Sequence, residues 1–277
     1  MSGIATALAD HYTPENLLEA INRGLTQAGV DPEAPAPEDL KPVDEFHLGG
    51  VEATEAFLDP LGITAEMEVL DIGSGIGGTA RFIAGRYGAQ VTGVDLTPAF
   101  VATAKILSAR VGLGRRTRFV EGSALALPVE AAAYDLATLF HVGMNIEDKA
   151  GLFREVARVL KPGGRFAVFD LMTRDGRPLD FPVPWSTAPE TSFVTKPDAY
   201  RTAAEAAGLT PLAERDCYDY ATAFFERVMA QAAKADGPPP VGLHLIMGAT
   251  AQEKYGNAAA AVLDGRIGPR EMVFGKG

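Results

Sequence analysis

The chain has 277 residues, 47% of them hydrophobic, which is enough to bury a sizeable core as one domain with extensions. Its 36 acidic against 25 basic side chains leave a formal net charge of -11, which argues against a phosphate-binding surface for nucleic acid. The single cysteine, Cys217, excludes an internal disulfide and a cysteine metal cluster, and no apolar run approaches the roughly 20 residues of a membrane span. With a start, MSGIATALADHY, that lacks the basic and apolar regions of a signal peptide, the expectation is a cytoplasmic protein with no membrane partner.

In chain order, Thr13-Pro14-Glu15 starts a helix that Gly29 closes, and DPEAPAPEDLKP then reads as a proline-rich loop. Residues 1–50 are expected to cap the ligand site, with residues 51–277 as the main domain. Strands are expected at Glu68–Ile72, Gln90–Asp95, Thr117–Glu121, Tyr134–Phe140, Arg165–Asp170 and Leu212–Tyr218. Helices fall between them near Gly77–Tyr87, Pro98–Val111, Asp148–Leu160 and Pro197–Ala207, with Thr97 as a cap and Gly208 as a stop. This alternation implies an α/β fold with a mostly parallel sheet covered on both faces and mixed at one edge. Residues 172–196, rich in proline and aromatics, read as a substrate lid. Residues 221–265, two helices around GPPP, read as an insertion whose plainest role is packing or dimerisation. The apolar C-terminal helices leave a homodimer open.

The segment VLDIGSGIGG, Val69 to Gly78, places a turn of small residues between a strand and a helix, where a ligand can approach the main chain. A nucleoside-bearing cofactor is the expected occupant. The spacing Gly73, Gly75, Gly78 also satisfies the dinucleotide pattern, and with Asp95 it would suit an NAD-dependent oxidoreductase. Asp71 argues against this, because a carboxylate at that position repels a pyrophosphate and favours a cationic ligand. Asp95 ends the next strand, at a distance suited to gripping ribose hydroxyls, and LKPGGRFAVFD ends a helix at a Pro-Gly-Gly turn before a new strand.

Together, VLDIGSGIGG, VTGVD and LKPGG at these separations resemble the class I S-adenosylmethionine-dependent methyltransferases from about Val51 to Leu209. The resemblance implies a Rossmann-like seven-stranded sheet, completed by a strand near Glu271–Phe274. It implies that Asp71, Gly73, Ser74 and Gly75 hold the methionine end of S-adenosylmethionine, Asp95 and Leu96 the ribose, and Ser123 and Ala124 the adenine, with Phe140 and His47 also against the cofactor. Ser123 stands where the family often has Asp, so its adenine contact would be uncharged. FHLGGVEAT and HVGMNIEDK narrow the likeness to bacterial sarcosine and dimethylglycine N-methyltransferases, with a looser likeness to phosphoethanolamine methyltransferases.

The resemblance implies methyl transfer to a small molecule, with an amine nitrogen of the glycine-derivative type as the first expectation. O- or C-methylation of a phenolic or quinone metabolite is the alternative, and a non-catalytic S-adenosylmethionine sensor is a reading from another class. His141, at the end of the fourth strand, is the leading general base, since an imidazole is neutral near pH 7; a hydrogen-bonded structural histidine is the alternative. His47 is either catalytic or a helix cap. Asn145 either positions substrate or caps the helix near Asp148. Phe46, Tyr12, Phe181, Trp185 and Phe193 supply aromatic faces for a cationic group or pack as lid residues. His11 and His244 have no sequence partner, and four scattered histidines make no metal motif.

Overall fold

A computed structural model describes residues 17–234 and 237–277, so the helix start at Thr13-Pro14-Glu15 and Tyr12 lie outside the described residues. Among the described residues three α-helices precede the sheet: α1 (Leu17–Gln27), α2 (Pro37–Asp44) and α3 (Gly50–Leu58). The proline-rich stretch is therefore helical in its second half. Pro37 occupies the first turn, where a missing N–H costs nothing, and the Asp39 carboxylate accepts from Ala36 N at 2.8 Å to close the helix start.

The alternating core follows as β1 (Glu68–Ile72), α4 (Gly78–Tyr87), β2 (Gln90–Asp95), α5 (Pro98–Arg110), β3 (Thr117–Glu121), β4 (Tyr134–Phe140), α6 (Lys149–Val159), β5 (Leu160–Thr173), α7 (Pro197–Ala206) and β6 (Leu209–Asp216). Then come α8 (Tyr218–Ala232), α9 (His244–Met247), α10 (Ala251–Leu263) and β7 (Ile267–Lys276). The seven strands form one sheet in the order β3-β2-β1-β4-β5-β7-β6. Pairings from β3 to β5 are parallel, whereas β7 runs antiparallel between β5 and β6. The order reverses between β1 and β4, and their carboxyl ends open the crevice where ligands bind in open α/β sheets.

Apolar strand residues are covered on both faces. Phe153 and Val156 of α6 and Tyr200 of α7 pack with Phe166, Val168 and Phe274 on one side. Phe57, Ile83 and Val101 from α3, α4 and α5 pack with Val69, Val91 and Phe169 on the other. Each fully buried side chain of this size contributes about 1.5–3 kcal/mol relative to exposure, so a strand between two helix layers is held from both sides.

Several element ends differ from the sequence expectation. β5 begins at Leu160 because Leu160 pairs with Tyr134 before a register shift carries the Pro-Gly-Gly segment past the edge. β6 ends at Asp216, and Tyr218 opens α8 instead of continuing the strand. β7 is longer than expected, since it pairs with β5 from Ile267 to Gly275. Thr97 sits at the start of α5 but its side chain makes no capping bond to the helix. Among the described residues no helix is long and apolar enough to cross a membrane.

Candidate active site

The glycine turn follows from its backbone. Gly73 takes φ +73°, and a Cβ there would lie 2.3 Å from a Val142 methyl, so a side chain is excluded twice over. Gly78 is pressed against the end of α2, where a Cβ would come within 2.0 Å of Asp44 O. The turn is tied to β2 by Gly73 N and Ser74 N donating to Val94 O at 2.8 and 3.1 Å. Gly75 N donates to Asp95 Oδ2 and Thr97 N to Asp95 Oδ1, both at 2.8 Å, which aims the carboxylate across the turn. Each Asp95 oxygen keeps further lone-pair capacity for a hydroxyl.

Asp71 is buried at the end of β1. Thr138 Oγ1 donates to Asp71 Oδ1 at 2.8 Å, while Asp71 Oδ2 and the Ser74 hydroxyl are buried with no partner. Burial pushes the Asp71 carboxyl up to about 7; the Thr138 bond opposes this and the charge of Asp95 adds to it. Unsatisfied buried oxygens of this kind mark a place where a ligand donor belongs.

The N-terminal segment closes one side. Arg81 of α4 is buried and donates from Nε to Asp44 Oδ2 at 3.1 Å, pairs through Nη2 with Asp44 Oδ1, and donates from Nη1 to Ile76 O at 2.7 Å, so one guanidinium joins α2 to the glycine turn. Glu45, His47 and Thr54 form a buried cluster: His47 Nε2 lies 2.6 Å from Glu45 Oε2, and Thr54 Oγ1 donates to that oxygen at 2.8 Å. Burial raises the Glu45 carboxyl, yet its bonds to His47 and Thr54 and the attraction of His47 outweigh this and hold it below its usual range. His47 Nδ1 lies 3.3 Å from Leu48 O, so both ring nitrogens have partners. The ring does not cap α3.

His141 ends β4 with φ +52°, a left-handed conformation that costs a residue with a Cβ roughly 1 kcal/mol or more. His141 N donates to Phe169 O at 2.7 Å and holds this geometry, while Nε2 is buried without a partner. Burial lowers its pKa well below 6.5, and nearby His47 adds to the shift, so the ring is neutral with an available nitrogen. Asn145 does not cap α6; Asp148 does, with Oδ1 accepting from Gly151 N at 2.7 Å. Asn145 Nδ2 instead donates to Trp185 O at 2.7 Å and ties the proline-rich segment to the turn after β4.

Two cavities meet here. The first, about 400 Å³, is lined by Asp71, Gly73, Ser74 and Gly75, by Asp95 and Leu96, by Ser123 and Ala124, and by Phe140, His47, Phe46, His141 and Asn145. Thus the sequence-chosen cofactor residues converge although they come from separate elements. The second, about 230 Å³, shares Phe46, His47 and His141 with the first and adds Trp185. Phe181 and Phe193 line neither cavity and Tyr12 is outside the described residues. Sequence reasoning missed Asp44, whose role depends on Arg81 37 positions away, and missed the wall that α8 and α10 give the second cavity.

Residues 70–168 match the methyltransferase domain family. This match and the sheet order support a class I S-adenosylmethionine-dependent methyltransferase. It is 35% identical over 139 residues to the erythromycin 3''-O-methyltransferase of Saccharopolyspora erythraea, covering 50% of this chain and 44% of that protein. It is 35% identical over 115 residues to a sterol 24-C-methyltransferase of Gibberella zeae, covering 42% of this chain and 30% of that protein. The matched stretch therefore spans less than half the length of both curated relatives. Among solved structures, a candidate sarcosine dimethylglycine methyltransferase from Galdieria sulphuraria shares the fold with a TM-score of 0.63 at 23% identity, covering 81% of this chain and 84% of that chain.

Proposed function

We propose that this chain transfers the methyl group of S-adenosylmethionine to an uncharged small-molecule acceptor, with residues 1–50 as a cap, residues 51–277 as the catalytic domain and residues 172–196 as a lid. One observation carries the choice of cofactor. Asp44, Asp71, Asp95, Glu147 and Asp148 line the larger cavity, and no Lys or Arg lines it among the described residues. Such a wall suits a ligand with a sulfonium and an ammonium and opposes the pyrophosphate of NAD. The residues fit the cofactor: the unpartnered Asp71 Oδ2 and Ser74 hydroxyl would hold its ammonium, and Asp95 would hold its ribose hydroxyls. Ser123 Oγ already accepts from Leu125 N at 3.1 Å and keeps its own proton for an adenine nitrogen.

When bound, S-adenosylmethionine supplies an activated methyl carbon, whose bond to sulfur breaks with the electron pair returning to sulfur as the bond to the acceptor forms. His141 takes the proton that the acceptor loses, through its unpartnered Nε2 at the junction of the two cavities. The Glu45–His47–Thr54 cluster holds the junction wall, and the enzyme's main contribution is alignment and exclusion of water.

An amine acceptor of the glycine-derivative type is the second reading, favoured by the likeness of DEFHLGGVEAT. Its carboxylate would find one Lys or Arg lining the second cavity, Lys41, whose side chain is 47% exposed and 3.8 Å from Glu38. The uncharged acceptor is therefore preferred.

Calorimetric titration tests the reading. S-adenosylhomocysteine should bind at micromolar strength and lose about 100-fold in Asp95→Ala, the loss of two hydrogen bonds to a charged group at roughly 1.5 kcal/mol each. Binding of NAD in place of the adenosyl ligand would overturn it. Transfer of labelled methyl to an acceptor separates an enzyme from a sensor.

A further inference from the structure

The second cavity differs in character from the first. Its wall is built by Trp185 of the lid, Phe224 and Phe225 of α8, Leu171 of β5, and Tyr255 and Val262 of α10. Tyr255 is the one polar residue that the segment from α8 to β7 contributes to this wall, and its hydroxyl makes no hydrogen bond among the described residues. Its ring is fixed against Phe225, with centroids 5.6 Å apart at 73°. Of the other polar lining residues, Glu45 and His47 are engaged with each other and Lys41 is near Glu38. The polar lining residues left with an unengaged side-chain atom are therefore His141 and Tyr255.

We infer that this cavity binds an uncharged single-ring phenol carrying a second small polar substituent, with the reacting hydroxyl at His141 and the second group at Tyr255. The inference rests on the methyl-transfer reading and names its acceptor. Size and charge carry it. A dry apolar cavity of about 150 Å³ is known to accept benzene, so about 230 Å³ has room for one ring with small substituents. A zwitterion would bury a carboxylate among aromatic side chains, which costs several kcal/mol without a paired cation. A phenol instead presents apolar faces to Trp185, Phe224 and Phe225, and its hydroxyl can give its proton to His141 as the oxygen takes the methyl carbon.

Trp185 is the chain's single tryptophan and lies in this wall, so its fluorescence reads occupancy of the cavity without turnover. With S-adenosylhomocysteine saturating, hydroquinone and 4-hydroxybenzyl alcohol should quench it saturably, phenol more weakly, and sarcosine and dimethylglycine not at all. Tyr255→Phe should remove the preference for hydroquinone over phenol, a change of about 5-fold for one neutral hydrogen bond. Ala258→Leu, which fills the cavity at a buried lining position, should weaken all the phenols more than 10-fold while calorimetry shows unchanged S-adenosylhomocysteine affinity. Saturable quenching by sarcosine or dimethylglycine, or none by any phenol, would overturn the acceptor class while intact S-adenosylhomocysteine binding leaves the methyltransferase reading standing. Failure of that binding in the wild type would overturn both.

Discussion

The proposed chemistry rests on a single residue, His141. A left-handed backbone at a non-glycine position is retained here by the bond from His141 N to Phe169 O, and it turns the imidazole into the junction of the two cavities. As a general base it should be worth about 10²–10⁴-fold, so His141→Ala should lower kcat by that factor while S-adenosylhomocysteine affinity stays within a few-fold. The pH profile carries a sign. Burial lowers this histidine well below 6.5, so the basic form persists under acid conditions and kcat/KM should stay level as the pH falls through 6.5. An inflection at or above 6.5 that disappears in the variant would contradict this. Cys217, by contrast, is a bystander: burial pushes its thiol up to about 12, away from reactive thiolate.

Two segments are held in place by a few side chains. Arg81 ties α2 to the glycine turn, and both it and Asp44 have side chains under a tenth exposed. Replacing the cation leaves a buried carboxylate without its partner, and Arg81→Met should therefore cost about 3–5 kcal/mol in urea unfolding. It should weaken S-adenosylhomocysteine as well, because Ile76 O loses its donor and the turn relaxes. A variant as stable as the wild type would mean that Asp44 finds other partners. The lid depends on Asn145 Nδ2 donating to Trp185 O and on Asn257 Nδ2 donating to Pro182 O at 2.9 Å. Asn145→Ala should accelerate limited proteolysis between residues 174 and 196 without shifting the main unfolding transition. Unchanged cleavage would show that Asn257 and the apolar packing of Val183 and Trp185 suffice.

Across the whole molecule, buried acids oppose one another and set the pH response. Burial pushes Asp71 up to about 7 and Asp170 up to about 6, the latter in spite of its bond from Tyr200 OH at 2.5 Å. Between the unfolded value of 3.8 and these folded values the native state binds protons that the unfolded chain has released, so their contribution to stability falls as pH rises through that window. His141 acts in the other direction, since below 6.5 the unfolded chain takes up a proton that the buried ring resists. Asp71→Asn isolates one term: its stability relative to wild type, in the ligand-free protein, should grow as pH rises from 4 to 7 and level off above 7. A difference that does not vary with pH would show that the carboxylate is ionised throughout.

The first four strands are found at their expected bounds; β1, β2 and β4 lie inside the sheet and read as short, mostly apolar runs, whereas β3 lies at its edge with Phe119 buried. The glycine turn and Asp95 are legible for a related reason: turn and carboxylate each act through their own backbone neighbourhood, which spacing along the chain records. Residues whose roles depend on distant partners are not legible in this way. Arg81 and Asp44 are 37 positions apart, Asn145 and Trp185 are 40 apart, and Tyr255 and His141 come to one cavity from α10 and from the turn after β4. By itself the sequence determined the sheet and the glycine turn, since these follow from local periodicity and backbone geometry, and the resemblance of its motifs pointed to the class of protein. Only the tertiary structure decided the apolar second cavity and the free His141 nitrogen, because burial and the loss of hydrogen-bond partners arise when separate elements close on one another.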